Sequence, residues 1–458
     1  MMVEKKFRDT IKRYNMLDKG DTVIAAVSGG ADSMVMLHLL LRLKGELSLN
    51  VIVCHLNHGL RGAESKRDFK FVRDAATRLP LNFEGRTLRK GELKEKGRST
   101  QEAAREARYG FFMETAKKHG AQRVALGHTL DDQAETALMR FIKGSALGGL
   151  SGIPPVRDIF IRPLIDVSRE DIEGFASENG VDYITDSTNL STKYLRNKVR
   201  LGLIPYIREN FNCNITETLA RTVRVLAEDR DFLEKYAHDA CARAILEQDK
   251  RQVVLDRLYL AGLHKAVASR VFLMAASSLT GEDIYSVHVD SIMDMVAGDN
   301  PSASLRLPGG LRALREYDRL ILTRTRLKPP KPFEVALKIP GATAVKGAGV
   351  FNSSILKKPP ASLAGAPDEA YFDLEEAGGG LTLRPMEPGD RIVPFGMKGH
   401  KKIKEIFIEQ KVPKERRSAY PLLCKGDVIL WIPGIRRSGL FKVTGRTNRV
   451  LKISWSPK

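Results

Sequence analysis

Two adjacent glycines stand where a strand-like run meets a helix-like run near the start of the chain. Residues 22–27 are apolar after a leading threonine, as expected of a buried parallel strand, and residues 34–41 favour a helix. Between them lies the hexapeptide Ser-Gly-Gly-Ala-Asp-Ser, residues 28–33. Glycine lets the backbone approach an anion closely, and the start of a helix offers unpaired N–H donors and the positive end of the helix dipole. The junction therefore predicts a loop that binds an anionic group.

The side chains of this loop indicate which anion it binds. The hydroxyls of Ser28 and Ser33 add donors, and the carboxylate of Asp32 is a natural ligand for Mg²⁺. The loop lacks both the Gly-Lys-Ser/Thr ending of the common nucleotide-binding loop and a GxGxxG spacing, but it resembles the Ser-Gly-Gly-x-Asp-Ser loop of the PP-loop ATP pyrophosphatases. That resemblance implies cleavage of ATP between the α- and β-phosphates, with ATP held by Ser28, Gly29, Gly30, Ala31, Asp32 and Ser33. The alternative is a turn that only joins a core strand to a core helix.

The charge of the chain points to a class of partner. Its 458 residues include 75 Lys and Arg against 55 Asp and Glu, a net charge of +20. Such an excess favours a polyanion, either nucleic acid or an anionic membrane surface. No run of 18 apolar residues occurs, so we expect no membrane-spanning helix. The four cysteines are scattered without a CxxC pair, which indicates neither a zinc ribbon nor a disulfide framework and makes a reducing cytoplasm the simplest setting.

Strand-like and helix-like runs alternate over roughly the first 200 residues, which predicts an α/β fold with a doubly wound, mostly parallel sheet. The expected strands are 22–27, 50–55, 81–85, 123–128 and 159–163. The expected helices are 31–43, 64–78, 100–118 and 130–143. In such sheets the ligand lies outside the carboxyl ends of the strands, where the motifs of this chain also fall.

The remainder of the chain predicts two further domains. We expect a catalytic domain over 1–210, a mainly helical domain over 211–328 and a small mixed α/β domain over 333–458. Residues 215–248 favour one long helix or two, and residues 303–307 and 311–323 favour a hairpin around Pro-Gly-Gly. A proline-rich linker follows at 327–332. Residues 384–458 hold 18 Lys and Arg against 6 Asp and Glu, so this stretch alone carries over half of the excess charge.

Two further motifs on the loops and helices of the first domain permit either a functional or a structural interpretation. The second strand leads into His55-Leu56-Asn57-His58-Gly59-Leu60-Arg61, which could bind phosphate, base or ribose, or could be a polar loop. Residues 99–102 resemble a capping box, and Arg105 and Arg108 share a face of the helix that follows. These arginines could reach a triphosphate or an RNA backbone, or form a solvated surface.

Two charged clusters follow later in the first domain. Asp132 and Glu135 lie three residues apart at the start of a helix, so their carboxylates share a face. Such a pair could bind Mg²⁺ or the ammonium group of an amine substrate, or could simply suit the helix dipole. Arg196, Lys198 and Arg200 form a compact basic cluster, in which Arg200 could neutralise the leaving pyrophosphate.

Taken in order, S-G-G-A-D-S, H-L-N-H-G-L-R, G-H-T-L-D-D-Q-A-E-T and R-N-K-V-R resemble the tRNA(Ile)-lysidine synthase family. Residues 307–311 and 384–391 resemble segments of the two C-terminal domains of its longer form, so the resemblance covers essentially the whole chain. It implies that ATP adenylates the C2 oxygen of the wobble cytidine in an isoleucine tRNA with a CAU anticodon. Free lysine then attacks C2 and displaces AMP, which leaves lysidine.

The resemblance also implies roles for the residues of these motifs. Asp32 would ligate Mg²⁺, Arg108 or Arg200 would offset developing charge, and Asp132 or Glu135 would orient the lysine ammonium and help to remove its proton. The helical middle domain would contact the anticodon arm. The last domain would hold the acceptor side of the tRNA through phosphate contacts from Lys398, Lys401, Lys402, Arg416, Arg417, Arg436 and Arg437.

Two other functions remain open at this stage. A PP-loop tRNA 2-thiolation enzyme also adenylates a pyrimidine C2 oxygen, but it generally needs the paired cysteines that this chain lacks. A catalytically idle tRNA-binding protein would be expected to lose Asp32 or the carboxylates at 132 and 135, which are all present. The sequence does not define the oligomeric state, for which a homodimer is one arrangement.

Overall fold

The computed structural model of the chain describes residues 2–59, 62–88, 100–185, 195–280, 286–325, 333–360, 366–397 and 399–457. The chain divides into two compact units, Met1–Phe232 and Leu233–Lys458. Within the described residues, no helix combines the length and the apolar composition that crossing a bilayer requires.

The first unit alternates strands and helices. Its strands are β1 Thr22–Ala26, β2 Asn50–Asn57, β3 Asn82–Thr87, β4 Arg123–Leu126, β5 Val156–Arg157 and β6 Phe160–Ile161. Its helices are α1 Met2–Arg13, α2 Ala31–Lys44, α3 Ala63–Arg78, α4 Thr100–His119, α5 Leu130–Ile142, α6 Leu147–Leu150, α7 Arg169–Glu178, α8 Leu195–Lys198 and α9 Ile204–Asn210, with a π-helical turn at Val199–Leu203. Helix α10, Ile215–Ala244, runs from this unit into the second.

The strands of the first unit form one sheet in the order β3-β2-β1-β4-β6-β5. All neighbouring pairs are parallel except β5 and β6. The expected doubly wound, mostly parallel sheet is thereby confirmed. The chain order reverses between β1 and β4, and in such sheets this switch point opens a crevice at the carboxyl ends of the strands. The loops after β1 and β4 therefore lie side by side.

Alternate residues of β1 pack on opposite faces of the sheet, as the two-residue period of a strand requires. Val23 and Ala25 join a core that includes Phe7 of α1, residues of α2 and α7, and Val72 of α3. Ile24 and Ala26 face the other side, where the core includes α4. Because both faces are covered, β1 is almost wholly buried, which explains its unbroken apolar run.

The second unit is built mainly from antiparallel sheets. Its strands are β7 Ile245–Gln248, β8 Gln252–Asp256, β9 Ser304–Arg306, β10 Arg312–Glu316, β11 Arg319–Thr323, β12 Val335–Ala336, β13 Gly341–Val345, β14 Gly349–Leu356, β15 Glu369–Asp373, β16 Leu381–Pro385, β17 Arg391–Ile392, β18 Lys401–Lys402, β19 Pro421–Lys425, β20 Val428–Ile432, β21 Arg436–Arg437 and β22 Val450–Ser456. Its helices are α11 Arg257–Gly262, α12 Lys265–Thr280, α13 Ser286–Ala297, α14 Leu374–Ala377, α15 Ile403–Glu409 and α16 Lys414–Arg417.

These strands form sheets in the orders β7-β8-β11-β10-β9, β12-β16-β19-β20-β21, β13-β14-β22-β15 and β17-β18. Helices α12 and α13 contribute Phe272 and Ile292 to the core that covers the first of these sheets. Phe351 and Trp431 lie in a second core, between strands of the two larger sheets that follow.

The structure corrects parts of the expected pattern in the middle of the chain. The range 215–248, for which one or two helices are expected, holds a single helix that ends at Ala244, and its last four residues, 245–248, form a strand instead. Residues 252–256 form a second strand within the domain expected to be mainly helical. Val253 and Leu255 enter the core of a sheet there, so tertiary packing outweighs the helical pattern. The hairpin around Pro308–Gly310 is confirmed, but its second arm breaks at Tyr317 into β10 and β11. The linker expected at 327–332 lies outside the described residues.

Candidate functional site

The loop of residues 28–33 is folded around the hydroxyl of Ser33. The Ser28 and Gly29 amides donate to Ser33 Oγ over 3.1 and 3.3 Å, and this hydroxyl donates to the Gly30 carbonyl over 3.0 Å. Gly29 has a φ of +97°, a conformation that favours glycine. Ser28 is exposed, and its hydroxyl lies 3.1 Å from that of Ser33. The loop thus presents one open hydroxyl and the N-terminus of α2, which begins at Ala31.

Gly127 closes the switch point from the side of β4. A Cβ atom on this residue would lie 3.2 Å from the Ser33 nitrogen and 3.3 Å from the Asp32 carbonyl carbon. Only a glycine allows this close approach without displacing the backbone of the loop of residues 28–33. The sequence analysis quoted Gly127 as part of a motif but assigned it no role.

Asp32 is a largely buried carboxylate at the first turn of α2. Burial raises its pKa to about 6, while the guanidinium of Arg169 opposes that rise. Arg169 Nη1 lies 3.8 Å from Asp32 Oδ2. The other oxygen, Oδ1, is buried and has no hydrogen-bond partner among the described residues. A buried carboxylate oxygen left open in this way is suited to a hard cation.

Arg169 was missed by the sequence analysis. It begins α7, whose N-cap is Ser168, and its backbone amide donates to Asp131 Oδ2 over 2.7 Å. Its Nε donates to Glu173 Oε1 over 2.9 Å. Helix α7 is therefore tied to the start of α5, and the guanidinium of Arg169 is held beside Asp32.

Asp132 and Glu135 do converge, but an arginine bridges them. Arg196 Nη2 donates to Asp132 Oδ1 over 2.5 Å, and Arg196 Nε donates to Glu135 Oε2 over 2.6 Å. Arg200 Nε lies 3.8 Å from Glu135 Oε1. The side chain of Glu135 is only 3% exposed, against 24% for Asp132, so Asp132 is the more accessible carboxylate. Burial raises the pKa of Glu135, and the nearby Arg196 opposes that rise.

The N-cap of α5 is Thr129. Thr129 and Asp132 form a reciprocal capping box, in which the Thr129 amide donates to Asp132 Oδ2 over 2.9 Å. Asp132 thus uses one oxygen for the helix and the other for Arg196. Its position follows directly from the Thr-x-x-Asp spacing.

His128 lies beside this cluster. Its Nδ1 is buried without a hydrogen-bond partner among the described residues. Burial lowers the pKa of His128 to about 4, Asp132 opposes that shift, and nearby arginines, Arg108 among them, add to it. The ring is therefore neutral at pH 7. Arg108 itself lies on the exposed side of α4.

The other motifs of the first unit include residues whose side chains bond within the protein and residues that lie outside the described ranges. His55 is buried, with Nδ1 2.7 Å from the Val27 carbonyl oxygen, and Asn57 bonds the Ser65 carbonyl and the Gly59 amide. Both contacts stabilise the loop itself. Arg105 lies over the ring of Tyr109 at 5.2 Å. Arg61, the Ser99 end of the capping box and residues 186–194 lie outside the described residues.

Several of the cations of the last domain that were expected to bind tRNA already have partners within the protein. Lys401 pairs with Glu409 at 2.6 Å. Arg417 donates to the Val412 carbonyl and to the Tyr317 hydroxyl, and Arg437 donates to the Tyr371 carbonyl.

Three more of the cations that were expected to bind tRNA differ in how exposed they are. Lys402 and Arg416 are exposed, and Arg436 is half-buried. Lys398 lies outside the described residues. The exposed pair is thus the better placed to meet a phosphate backbone.

Comparison with known proteins follows the same division of the chain. Residues 2–207 match a family described as "PP-loop domain", residues 255–321 one described as "TilS substrate binding domain" and residues 381–455 one described as "TilS substrate C-terminal domain". Each of these descriptions agrees with the motifs found in that part of the sequence.

Relatives of similar length carry one common name. The tRNA(Ile)-lysidine synthase of Caldanaerobacter subterraneus subsp. tengcongensis is 35% identical, over 99% of this chain and 98% of its own. Those of Clostridium tetani and Geobacter sulfurreducens are each 37% identical, over 97% and 98% of this chain and 96% and 97% of theirs. The resemblance found in the motifs is thereby confirmed, and the chain belongs to the tRNA(Ile)-lysidine synthase family.

Proposed function

We propose that the switch point of the first unit is where this chain carries out both halves of lysidine synthesis. The chain is an ATP-dependent ligase that joins lysine to the wobble cytidine of tRNA(Ile). The observation that carries the assignment of the site is the convergence of residues 28–33 with Asp132, Glu135 and their arginines at one end of the sheet. No feature of the described residues favours the 2-thiolation alternative.

In the first half-reaction we place the ATP phosphates against residues 28–33 and the N-terminus of α2. The C2 oxygen of cytidine attacks the α-phosphorus, the bond to the bridging oxygen breaks, and pyrophosphate leaves. Helix N-termini stabilise such anions through free N–H groups. We assign Arg200 and Arg108 to the negative charge that develops on the phosphates. Arg169 lies close enough to Asp32 to assist them.

The residues present fit one Mg²⁺ ion beside the phosphates. Asp32 would hold it through the open Oδ1, because Mg²⁺ in phosphate-transfer sites uses one or two carboxylates and completes its shell with phosphate and water. When bound, Mg²⁺ would offset phosphate charge. Among the described residues, no cluster of three or more His, Cys, Asp or Glu is placed to hold a metal.

In the second half-reaction we assign the lysine ammonium to Asp132 and Glu135. The side-chain amine has an ordinary pKa of about 10.4, so it must lose a proton before it attacks C2. Attack forms the C–N bond, the C2–O bond breaks, and AMP leaves. Asp132 is the more exposed of the two carboxylates, so it would meet the substrate first. Arg196 already donates to one oxygen of Asp132 and to one oxygen of Glu135. Its positive charge therefore lowers the net negative charge that the lysine ammonium would meet.

We propose that the second half of the chain holds the tRNA, with a middle domain over 211–328 and a basic domain over 333–458. Lys402 and Arg416 would contact phosphates, because both are exposed. The substrate would be the isoleucine tRNA that has a CAU anticodon. We place this activity in the cytoplasm and leave the choice between monomer and homodimer to sedimentation analysis.

Pyrophosphate release tests the proposed order of the two half-reactions. We expect release to require this tRNA and to begin without lysine, since adenylation comes first. Lysine should then release AMP in equal amount. A 2-thiolation enzyme would ignore lysine, and an idle binding protein would release neither product.

A further inference from the structure

Tyr206 and Phe211 form an exposed aromatic pair at the end of α9. Their ring centroids are 5.9 Å apart and their planes meet at 60°. Tyr206 is 57% exposed and Phe211 is 76% exposed. Large aromatic side chains left this open contribute little to a core, and paired ones offer a surface for another flat group.

The charge around this aromatic pair favours a polyanion. Residues 195–212 contain Lys198 and Arg208 and one acid, Glu209, in addition to Arg196 and Arg200, which lie beside carboxylates of α5. Exposed aromatic rings within a basic segment are the combination that holds single-stranded nucleic acid, in which each base offers a face for stacking. A second copy of this chain, itself strongly basic, is electrostatically disfavoured as the occupant.

The aromatic pair is connected to the catalytic cluster by continuous helical backbone. Helix α8, the π-helical turn and α9 run without a break from Leu195 to Asn210, because the flanking residues Lys198 and Leu203 are themselves helical. Val199 and Ile204 pack with Ala134 of α5 in one small core. The backbone that carries the aromatic pair is therefore continuous with the helix that carries Arg200.

The length of that helix sets how far the aromatic pair lies from the reacting base. Phe211 follows Arg200 by eleven positions in sequence, which corresponds to about 16 Å at about 1.5 Å per residue. A stacked strand advances about 3.4 Å per nucleotide, so this distance spans about five nucleotides. Unpaired loop bases are the ones that proteins splay out and stack on aromatic side chains.

We propose that Tyr206 and Phe211 form a stacking site for an unpaired base of the anticodon loop, separate from the pocket that takes the wobble cytidine. This inference rests on the proposed function for the identity of the RNA. The aromatic pair positions the loop and does not contact the reacting atoms. Its contribution is to binding of the tRNA, while Arg196 and Arg200 act at the other end of the same helix.

Steady-state lysine incorporation with the full-length chain tests the site. We expect Tyr206→Ala and Phe211→Ala to raise the KM for tRNA by about 5- to 150-fold, the equivalent of one lost stacking contact. The kcat and the KM values for ATP and lysine should not change. Phe211→Trp should retain binding, whereas Phe211→Leu should lose it although its apolar surface remains. Circular dichroism should show unchanged folding, because both side chains are exposed.

A fluorescent tRNA separates this inference from the proposed function. With 2-aminopurine placed in turn at each unpaired loop position, we expect quenching at one position in the natural protein and loss of that quenching in Phe211→Ala. This readout needs no catalysis, so it stays informative even if no lysidine forms. An unchanged KM for tRNA and unchanged quenching in the Tyr206→Ala, Phe211→Ala double variant would overturn the inference. The inference would also be overturned if the double variant differed from the natural protein only in its self-association.

Discussion

Arg196 donates to Asp132 over 2.5 Å, and the same guanidinium donates to Glu135. The two carboxylates that the sequence offers for binding a cation are thus already paired with a cation of the protein itself, the guanidinium of Arg196. Breaking a pair that involves a buried carboxylate is costly, so Glu135 keeps Arg196 in place. Asp132, with the more exposed side chain, is left as the carboxylate that an incoming ammonium can reach.

Replacing Asp132 by asparagine tests this division of roles. Asparagine keeps an oxygen for the Thr129 amide, which now donates to Asp132 over 2.9 Å, so α5 should keep its cap. We expect the KM for lysine to rise by about 10-fold or more, because an ion pair with the substrate is lost. Formation of adenylated tRNA should stay near the natural rate. Unchanged KM and turnover for lysine would remove Asp132 from the lysine site.

Asp32→Asn should stabilise the metal-free protein at alkaline pH. The pKa of Asp32 in the folded protein is raised to about 6, mainly by burial, from an ordinary value of 3.8. A raised pKa means that the stability linked to this group is full below the ordinary value and is lost as the pH rises through about 6. Asparagine stays neutral at both pH values. The free energy of unfolding of the Asp32→Asn variant should therefore exceed that of the natural protein by up to about 3 kcal/mol at pH 8 and differ little from it at pH 4.

Thermal unfolding in EDTA at the two pH values measures this effect. Arg169→Gln provides the control, because Arg169 opposes the rise in the pKa of Asp32 and its loss should enlarge the alkaline destabilisation. If the Asp32→Asn variant is as stable as the natural protein at pH 8, or less stable, then burial does not destabilise the charged form of Asp32 as proposed.

Gly127→Ala should weaken ATP binding although the substitution removes no polar group. The added Cβ would lie 3.2 Å from the Ser33 nitrogen, and the backbone there has little room to yield. We expect a loss of about 1–3 kcal/mol in stability and a weaker affinity for ATP by equilibrium dialysis. Gly110→Ala in α4 is the matched control, since a Cβ there meets nothing within 4 Å and alanine favours a helix. Equal behaviour of the two variants would show that the close approach is unimportant.

The salt dependence of tRNA binding tests the exposed cations of the last domain. Removing Lys402 and Arg416 together should weaken binding and reduce the slope of log Kd against log salt by about 2. The control removes Lys401 and Glu409 together, an ion pair with no net charge. That control should leave the slope nearly unchanged. If both double variants change the slope equally, then general surface charge and not these two cations holds the RNA.

The parts of the site that could be predicted are those determined by local sequence. The loop at 28–33 and the cap of α5 follow from short motifs, because a glycine turn or a Thr-x-x-Asp box needs only its own few residues. Arg169 could not be found in this way, since its place beside Asp32 depends on how α7 packs. The bridging role of Arg196 was missed for the same reason.

The strands of the second unit show the same limit. Residues 252–256 fall in the domain expected to be mainly helical, although Val253-Val254 is a β-branched pair that suits a strand. Their pairing with β11 depends on residues far along the chain. The ion pair of Lys401 with Glu409 likewise depends on how β18 and α15 meet. The sequence therefore offers Lys401 as a tRNA contact on the same footing as Lys402 and Arg416.

Transfer of labelled lysine to tRNA measures the central claim, that residues 28–33 activate the RNA for attack by the amine. With ATP and an isoleucine tRNA that has a CAU anticodon, we expect the natural chain to incorporate one lysine per tRNA. Asp32→Ala should abolish both incorporation and pyrophosphate release, while the tRNA still binds. Absence of incorporation by the natural protein, or full incorporation by Asp32→Ala, would contradict the account.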